Sequence, residues 1–272
     1  GESHACCIMV PSHLRHSDER TLMSAQTGHD DAKPQTVLES LIRRWRHRPD
    51  WSESERQVVV ADLMPEGDER RRYLARFVTL SVLSTVLASF GLISNSIATL
   101  IAGMLLDPLM TPVLAVAAAV GFGQPMRVLR ALSIVGGGTL VAIATGWLVA
   151  AISPGFASTD DLTSELLLRT SPSLLDLGVA VAAGVSAGYV LTHREANAVI
   201  PGVAIAVALV PPLAAVGVLL SIGATDEARG AFLLYATNLG AIILAATAML
   251  LVSGFVPGDV RSRSRRSVRA GF

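Results

Sequence analysis

Six apolar segments, separated by short polar connections, account for most of the chain after residue 73. They cover residues 74–93, 96–121, 128–152, 173–191, 198–221 and 231–255, and are numbered segments 1 to 6. Each is close to or longer than the stretch of about 20 apolar residues that a helix needs to cross a bilayer. The mean hydropathy of +0.52 agrees with this pattern. The sequence therefore predicts an all-α membrane protein with six transmembrane helices.

The polar ends of the chain are rich in arginine. In residues 1–73, apolar positions recur at helical spacing only after Pro34, with Arg43, Arg44 and Arg46 beside them. This pattern predicts a partly disordered N-terminal region with a basic amphipathic helix, and residues 256–272 form an Arg-rich tail. Such a helix fits contact with anionic lipid headgroups and packing on a protein surface equally well.

Arginine also alternates between the connections. Arg127 and Arg130 lie between segments 2 and 3, and Arg194 lies between segments 4 and 5. The connections after segments 3 and 5 instead contain acidic residues, among them Asp160 and Asp226. By the positive-inside rule we expect a multi-pass protein of the cell (inner or plasma) membrane with both termini in the cytoplasm. No short apolar run precedes residue 70, so we expect no signal peptide.

Segment 2 carries a carboxylate and two prolines near its middle, in the sequence Asp107-Pro108-Leu109-Met110-Thr111-Pro112. A carboxylate at the centre of a bilayer costs about 3 kcal/mol or more. Each proline lacks an N–H and leaves the carbonyl four residues earlier without its helical donor. Irregular backbone at this depth is tolerated where it is buried in protein or lines a watery cavity. Segment 2 is therefore the first candidate for a functional site.

Segment 5 matches segment 2 when the sequence is shifted by 104 residues, which places Pro108 on Pro212 and Gly136 on Gly240. Each half, 74–152 and 173–255, contains three segments, so the halves must have opposite orientations. The sequence predicts two inverted three-helix repeats whose second helices are broken by proline, an arrangement typical of transporters. The alternative is that the prolines only kink the helices for packing.

Together these residues define a hypothetical binding site for a solute or ion. Asp107 would bind a cation or proton, and carbonyls freed by the prolines would add oxygen ligands. Asn238 in segment 6 either completes this site or bonds a neighbouring helix. The predicted set is Asp107, Pro108, Thr111, Pro112, Pro211, Pro212 and Asn238.

The remaining motifs favour packing over chemistry. Gly184 and Gly188 frame Ser186 in a G-x-S-x-G pattern, but within a predicted membrane helix their spacing is typical of close helix contact. Gly136 begins a three-glycine run that either admits a neighbouring helix or softens segment 3. Cys6 and Cys7 cannot form a closed metal site by themselves. We expect no catalytic site, no metal and no cofactor.

Hydroxyl groups in segment 1 receive a low rank as site residues. Ser81, Ser84 and Thr85 can each bond back to a carbonyl of their own helix. The basic clusters are explained by topology and anionic lipid, so nucleic acid is not an expected partner.

The stretch GLISNSIATLIAGMLLDPLMTPVLA resembles the signature of the family known as domain of unknown function 389. Three later stretches, RTSPSLLDLGVAVAAGVSAGY, PGVAIAVALVPPLAAVG and LLYATNLGAII, resemble later blocks of the same family in the same order. The resemblance covers about residues 74–255 and implies the membrane architecture, without naming an activity.

Two functions follow as expectations. The first is a transporter or channel for a small solute or ion that uses broken helices 2 and 5. The alternative is a non-transporting scaffold or regulatory protein that binds lipid or a partner through its basic cytoplasmic segments. The small-residue faces predict a homo-oligomer, and membrane lipids are the expected surroundings.

Overall fold

A computed structural model describes residues 63, 67–153, 162–192 and 199–255, and these contain helices and no β-strand. The helices are α1 Asp68–Ile93, α2 Ile97–Leu106, α3 Met110–Gly121, α4 Pro125–Ile152, α5 Ser164–Leu167, α6 Leu174–Leu191, α7 Val199–Ser221 and α8 Thr225–Val252. The predicted amphipathic helix with Arg43, Arg44 and Arg46 lies outside the described residues, as does the tail 256–272.

The described helices are those of a membrane-embedded protein. Helices α1, α4, α6, α7 and α8 are each long and apolar enough to cross a bilayer. Helices α2 and α3 meet at an angle of 54° and make a sixth span if the bent pair is counted as one. Helix α8 begins at Thr225, several residues before predicted segment 6. The prediction began later because hydropathy alone excludes the charged first turn, which contains Asp226 and Glu227.

A tight turn joins α1 to α2, as the sequence predicts. Asn95 adopts a positive φ of 53°, and the Ser96 N–H donates to the Gly91 carbonyl at 2.8 Å. The Asn95 N–H donates to the Leu92 carbonyl, which completes a Schellman-type end to α1. A Cβ atom at Gly91 would lie 2.6 Å from the Leu100 backbone nitrogen. Glycine is therefore needed where the end of α1 packs closely on α2.

Helix α7 is the central element and contacts all the other long helices. It crosses α4 at Gly146 and Gly217 with backbone against backbone. A Cβ atom at Gly146 would lie 2.9 Å from the Ala214 carbonyl oxygen, and one at Gly217 would overlap the Ile143 carbonyl. These two glycines bring α4 and α7 closer than any other residue type would allow.

Helix α6 packs on α8 through the glycines of the G-x-S-x-G pattern. A Cβ atom at Gly184 would lie 2.6 Å from the Ile242 carbonyl oxygen, and one at Gly188 would lie 2.9 Å from the Ala246 carbonyl oxygen. Ser186 is exposed between them and donates to a carbonyl of its own helix at 2.8 Å. The pattern here is a helix contact, with no strand–turn–helix elbow.

The predicted packing role of Gly136 falls instead on Gly138. A Cβ atom at Gly136 would meet no described atom within 4 Å, whereas one at Gly138 would lie 2.8 Å from the Phe77 ring. Two residues correspond to a rotation of about 200° around a helix, so these glycines face opposite ways. Gly138 faces α1.

Helices α4 and α8 share one structural register. Each contains 28 residues, and they begin 100 positions apart, at Pro125 and Thr225. The glycines before them, Gly123 and Gly223, both have positive φ. The buried positions of α4 are Ala131, Val135, Gly138, Ala142, Gly146, Val149 and Ala150. Their counterparts 100 positions later are all buried in α8: Ala231, Tyr235, Asn238, Ile242, Ala246, Met249 and Leu250.

This register differs from the offset of 104 found in the sequence. It pairs Pro112 with Pro212, whereas the sequence offset pairs Pro108 with Pro212. The buried positions of α4 and α8 follow the offset of 100, so the match between Gly136 and Gly240 at the offset of 104 is not the structural register.

The predicted interruption of segment 5 is corrected by the structure. Helix α7 runs without a break through Pro211 and Pro212. Pro212 cannot donate to the Ala208 carbonyl, but the Asn238 side-chain amide donates to that oxygen at 3.0 Å. Asn238 is 3% exposed, so the bond replaces the missing helical donor in a dry environment. Asn238 thus bonds a neighbouring helix.

This replacement predicts a coupling between Asn238 and Pro212. Asn238→Ala leaves the Ala208 carbonyl without a donor and should lower the free energy of unfolding by about 1 kcal/mol, a usual value for such bonds in membranes. In a Pro212→Ala background residue 212 regains an N–H, so the same change should cost less. The measurement is chemical unfolding of all four proteins in detergent.

Thr237→Ala is the matched control, because the Thr237 hydroxyl donates to the Leu233 carbonyl of its own helix. It should leave stability nearly unchanged. Equal costs of Asn238→Ala in the two backgrounds would contradict the capping role.

Candidate functional site

The break between α2 and α3 is closed by its own residues. Pro108 has no N–H for the Met104 carbonyl, and the Asp107 N–H donates to that oxygen at 3.4 Å. The Leu109 N–H donates to Asp107 Oδ2 at 3.0 Å. The carboxylate therefore accepts an N–H that a continuous helix would donate to a backbone carbonyl. Asp107 is fixed at the point where the helix changes direction.

Helix α1 holds the end of α2 from the side. The Ser84 hydroxyl donates to the Gly103 carbonyl at 2.8 Å. A Cβ atom at Gly103 would lie 2.8 Å from the Ala88 nitrogen, so the two helices are in backbone contact here. The bond provides a donor for a carbonyl that the break would otherwise leave free.

Asp107 lines a small cavity with room for about one water molecule. The lining comes from four places: α1, the α2–α3 break, α4 and α7. Its residues are Ser81, Thr85, Asp107, Leu109, Gly138, Ala142, Val210 and Leu213. Asp107 is the one charged residue in this lining, and the remaining polar side chains are two hydroxyls.

The two hydroxyls differ in their partners. The Thr85 hydroxyl donates to the Ser81 carbonyl of its own helix at 2.8 Å, as the sequence predicts. The Ser81 hydroxyl, by contrast, is buried and has no hydrogen-bond partner among the described residues, although Ser81 is only 4% exposed. The predicted bond back to a carbonyl of α1 is therefore wrong for Ser81 and for Ser84. The available signal was the spacing of four residues between Ser81, Thr85 and Ser89, which places three hydroxyls on one helix face.

The other predicted site residues are not part of this lining, although Pro108, Pro211 and Pro212 are next to residues that are. Thr111 is half-buried and Pro112 is buried in the first turns of α3, and neither is part of the lining. Pro211 and Pro212 are buried within α7, between the lining residues Val210 and Leu213. The Pro108 carbonyl accepts no hydrogen bond from any residue that the structure describes.

Most other buried polar groups of the spans are engaged with neighbouring helices. The Thr139 and Tyr235 hydroxyls are 2.6 Å apart and link α4 to α8. The Thr247 hydroxyl lies 3.2 Å from the Ala117 carbonyl oxygen, between α8 and α3. These pairs stabilise packing. Among the buried polar atoms of the described residues that have no partner, the Ser81 hydroxyl is the one that lines the cavity together with Asp107.

A second cavity lies beside α3, at the end that leads to α4. It is lined by Leu63, Ala115, Ala118, Ala119, Phe122, Gln124 and Arg127 and has no room for a water molecule. Among the described residues, no cluster of three His, Cys, Asp or Glu side chains is placed to hold a metal ion. The Asp107 cavity is therefore the better candidate.

Comparison with known proteins identifies a family and one curated relative. The model of the family described as domain of unknown function (DUF389) matches residues 104–244, just over half of the 272-residue chain. An uncharacterised protein of Methanocaldococcus jannaschii is 28% identical over 177 residues. That alignment covers 65% of this chain and 53% of the relative, so the chain spans about half of the relative's length.

No solved structure matches the chain. The family match begins at Met104, in the last turn of α2, and extends into α8, so it contains the break, Asp107 and the α7 prolines. The chain belongs to the DUF389 family.

Proposed function

We propose that this protein is a transporter or channel for a small solute or ion, with the Asp107 cavity as its binding site. One observation carries the proposal: a carboxylate at a break inside an apolar span lines a cavity beside an unpartnered buried hydroxyl. A carboxylate used only for packing would be expected in a fully bonded contact. The break between α2 and α3 is the element that would move.

The proposal includes two inverted repeats, α1–α4 and α6–α8. Helices α4 and α8 support it by their equal lengths and their matched buried positions. Helix contacts between the halves and within each half also support it. Helix α4 packs on α7, and α8 packs on α3, so the last helix of each half contacts the proline-bearing helix of the other. Helices α1 and α4 also contact each other as α6 and α8 do.

The repeats in this proposal differ in mechanism. In the first half the helix is interrupted at Asp107, whereas in the second half α7 is continuous and Asn238 supplies the missing donor. We propose that α2 and α3 rearrange while α7 acts as the fixed wall of the site. The protein would lie in the inner or plasma membrane with cytoplasmic termini, in contact with lipid and as a homo-oligomer.

The inverted arrangement predicts opposite labelling of two equivalent positions. Met126 and Asp226 each lie at the second position of a 28-residue helix and are exposed. In a background where Cys6 and Cys7 are replaced by serine, Asp226→Cys should react with an impermeant maleimide on intact cells. Met126→Cys should react only after permeabilisation. Labelling of both from the same side would contradict inverted repeats.

Transport should depend on Asp107. In proteoliposomes tested with single ions and small solutes, Asp107→Asn should lower the flux about tenfold or more, because one charged ligand contact is worth about 1.5–3 kcal/mol. Its expression and monodispersity should match those of the wild-type protein, since asparagine can still accept the Leu109 N–H.

Asp226→Asn is the matched control. Asp226 is an exposed carboxylate whose Arg229 partner lies 2.9 Å away on the surface. This variant should retain full flux. Unchanged flux in Asp107→Asn would contradict the proposal, and a folded wild-type protein that moves no tested solute would favour the scaffold function.

A further inference from the structure

We propose that the Asp107 cavity binds one dehydrated sodium ion, through the Asp107 carboxylate and the Ser81 and Thr85 hydroxyls. This inference rests on the proposed function and names the chemical class of ligand that its site accepts.

The charge of the cavity favours a monovalent cation. Its lining contains one carboxylate and no other charged residue. A monovalent cation would neutralise that carboxylate, whereas a divalent cation would leave a net charge in surroundings of low dielectric constant, where charges are costly. Calcium also requires six to eight oxygen ligands, usually from several carboxylates. The lining contains a single carboxylate.

The size of the cavity excludes an organic solute in this conformation. Pockets for small organic ligands usually enclose about 300–1,000 Å³. This cavity has room for about one water molecule. A bare sodium ion occupies a similar space, and carboxylate and hydroxyl oxygens are the hard ligands that such an ion prefers.

Each proposed ligand has an oxygen lone pair available. The Thr85 hydroxyl donates its proton to the Ser81 carbonyl, so its own lone pairs remain free. Asp107 Oδ2 accepts the Leu109 N–H, and no described residue donates to the second carboxylate oxygen. The Ser81 hydroxyl is buried without a partner. A cation in the cavity would give the carboxylate a counter-charge and the Ser81 oxygen a partner at the same time.

The second half of the chain lacks an equivalent site. The five buried positions of α6 each lie 99 residues after a buried position of α1. In α1 these are Ser81, Ser84, Thr85, Ala88 and Ser89, and in α6 they are Ala180, Ala183, Gly184, Ala187 and Gly188. At these five pairs of positions, the side chains with hydroxyl groups are all in α1. We therefore expect one sodium ion per chain.

The test is thermal unfolding of the purified full chain in lipid nanodiscs. Starting from choline chloride, replacement by NaCl at constant ionic strength should raise the Tm saturably, by about 5 °C. KCl and CaCl₂ should give smaller shifts. Ser81→Ala and Thr85→Val should each weaken the apparent sodium affinity about tenfold, because each removes one ligand oxygen.

Ser89→Ala is the matched control for the hydroxyl variants. Ser89 lies on the same face of α1, is fully buried and also has a hydroxyl with no described partner, but it does not line the cavity. Its sodium affinity should equal that of the wild-type protein. The inference is overturned if NaCl and choline chloride give the same Tm, or if Ser81→Ala and Ser89→Ala weaken sodium binding equally.

Failure of this inference is distinguishable from failure of the proposed function. Flux of some solute through wild-type proteoliposomes without any effect of sodium would overturn the sodium site and leave transport standing. Saturable sodium binding that depends on Ser81, without flux of any ion or solute, would support the site and overturn transport.

Discussion

A backbone carbonyl inside a bilayer needs a hydrogen-bond donor, and the proline-bearing helices of this protein are organised by that requirement. Pro108 and Pro212 each remove a donor from a buried span. Around Pro108, the helix ends, and Asp107 and Ser84 supply bonds to the groups that the break exposes. Around Pro212, the helix continues, and Asn238 supplies the missing donor from α8.

These two solutions have different mechanical consequences. The bond from Asn238 ties α7 to a neighbouring helix, and the glycine crossing with α4 holds α7 from another side. The Asp107 carboxylate bonds only within its own turn, through the Leu109 N–H. A bend in α7 would separate Asn238 from Ala208, whereas the bond from the Leu109 N–H to Asp107 lies within one turn and moves with the break. Among the described residues, the tie between the break and α1 is the single bond from the Ser84 hydroxyl to the Gly103 carbonyl. In the proposed mechanism α7 is the rigid element and the α2–α3 pair is the element that rearranges.

The sequence predicted the apolar spans well because hydropathy is a local property. Segment 3 ends at residue 152, as α4 does, and the turn between segments 1 and 2 lies where Asn95 adopts its positive φ. The continuity of α7 was not predictable, because it depends on a side chain 30 residues away that reaches Ala208. Helix propensity describes the effect of Pro212 within its own helix. It does not include a hydrogen-bond donor that another helix supplies.

The site was predicted in part for the same reason. Asp107 was identified because a charge in an apolar segment is visible in sequence, whereas a serine there is common and usually bonds its own helix. Thr85 follows that habit, but Ser84 bonds across to α2 and Ser81 has no described partner. Only the packing of α1 on the break distinguishes these three hydroxyls.

In the proposed inverted-repeat arrangement, the asymmetry between the halves explains how a single site can form. Where α1 has hydroxyls facing the break, α6 has alanine and glycine, which allow α6 to approach the α8 backbone closely. The first half thus keeps space and polar groups at the position where the second half has close packing. A cavity lined by one carboxylate can form beside α1 because α7 and α4 are held together independently, by their own glycine contact. The close contact between the halves is in this sense the condition for the cavity beside α1.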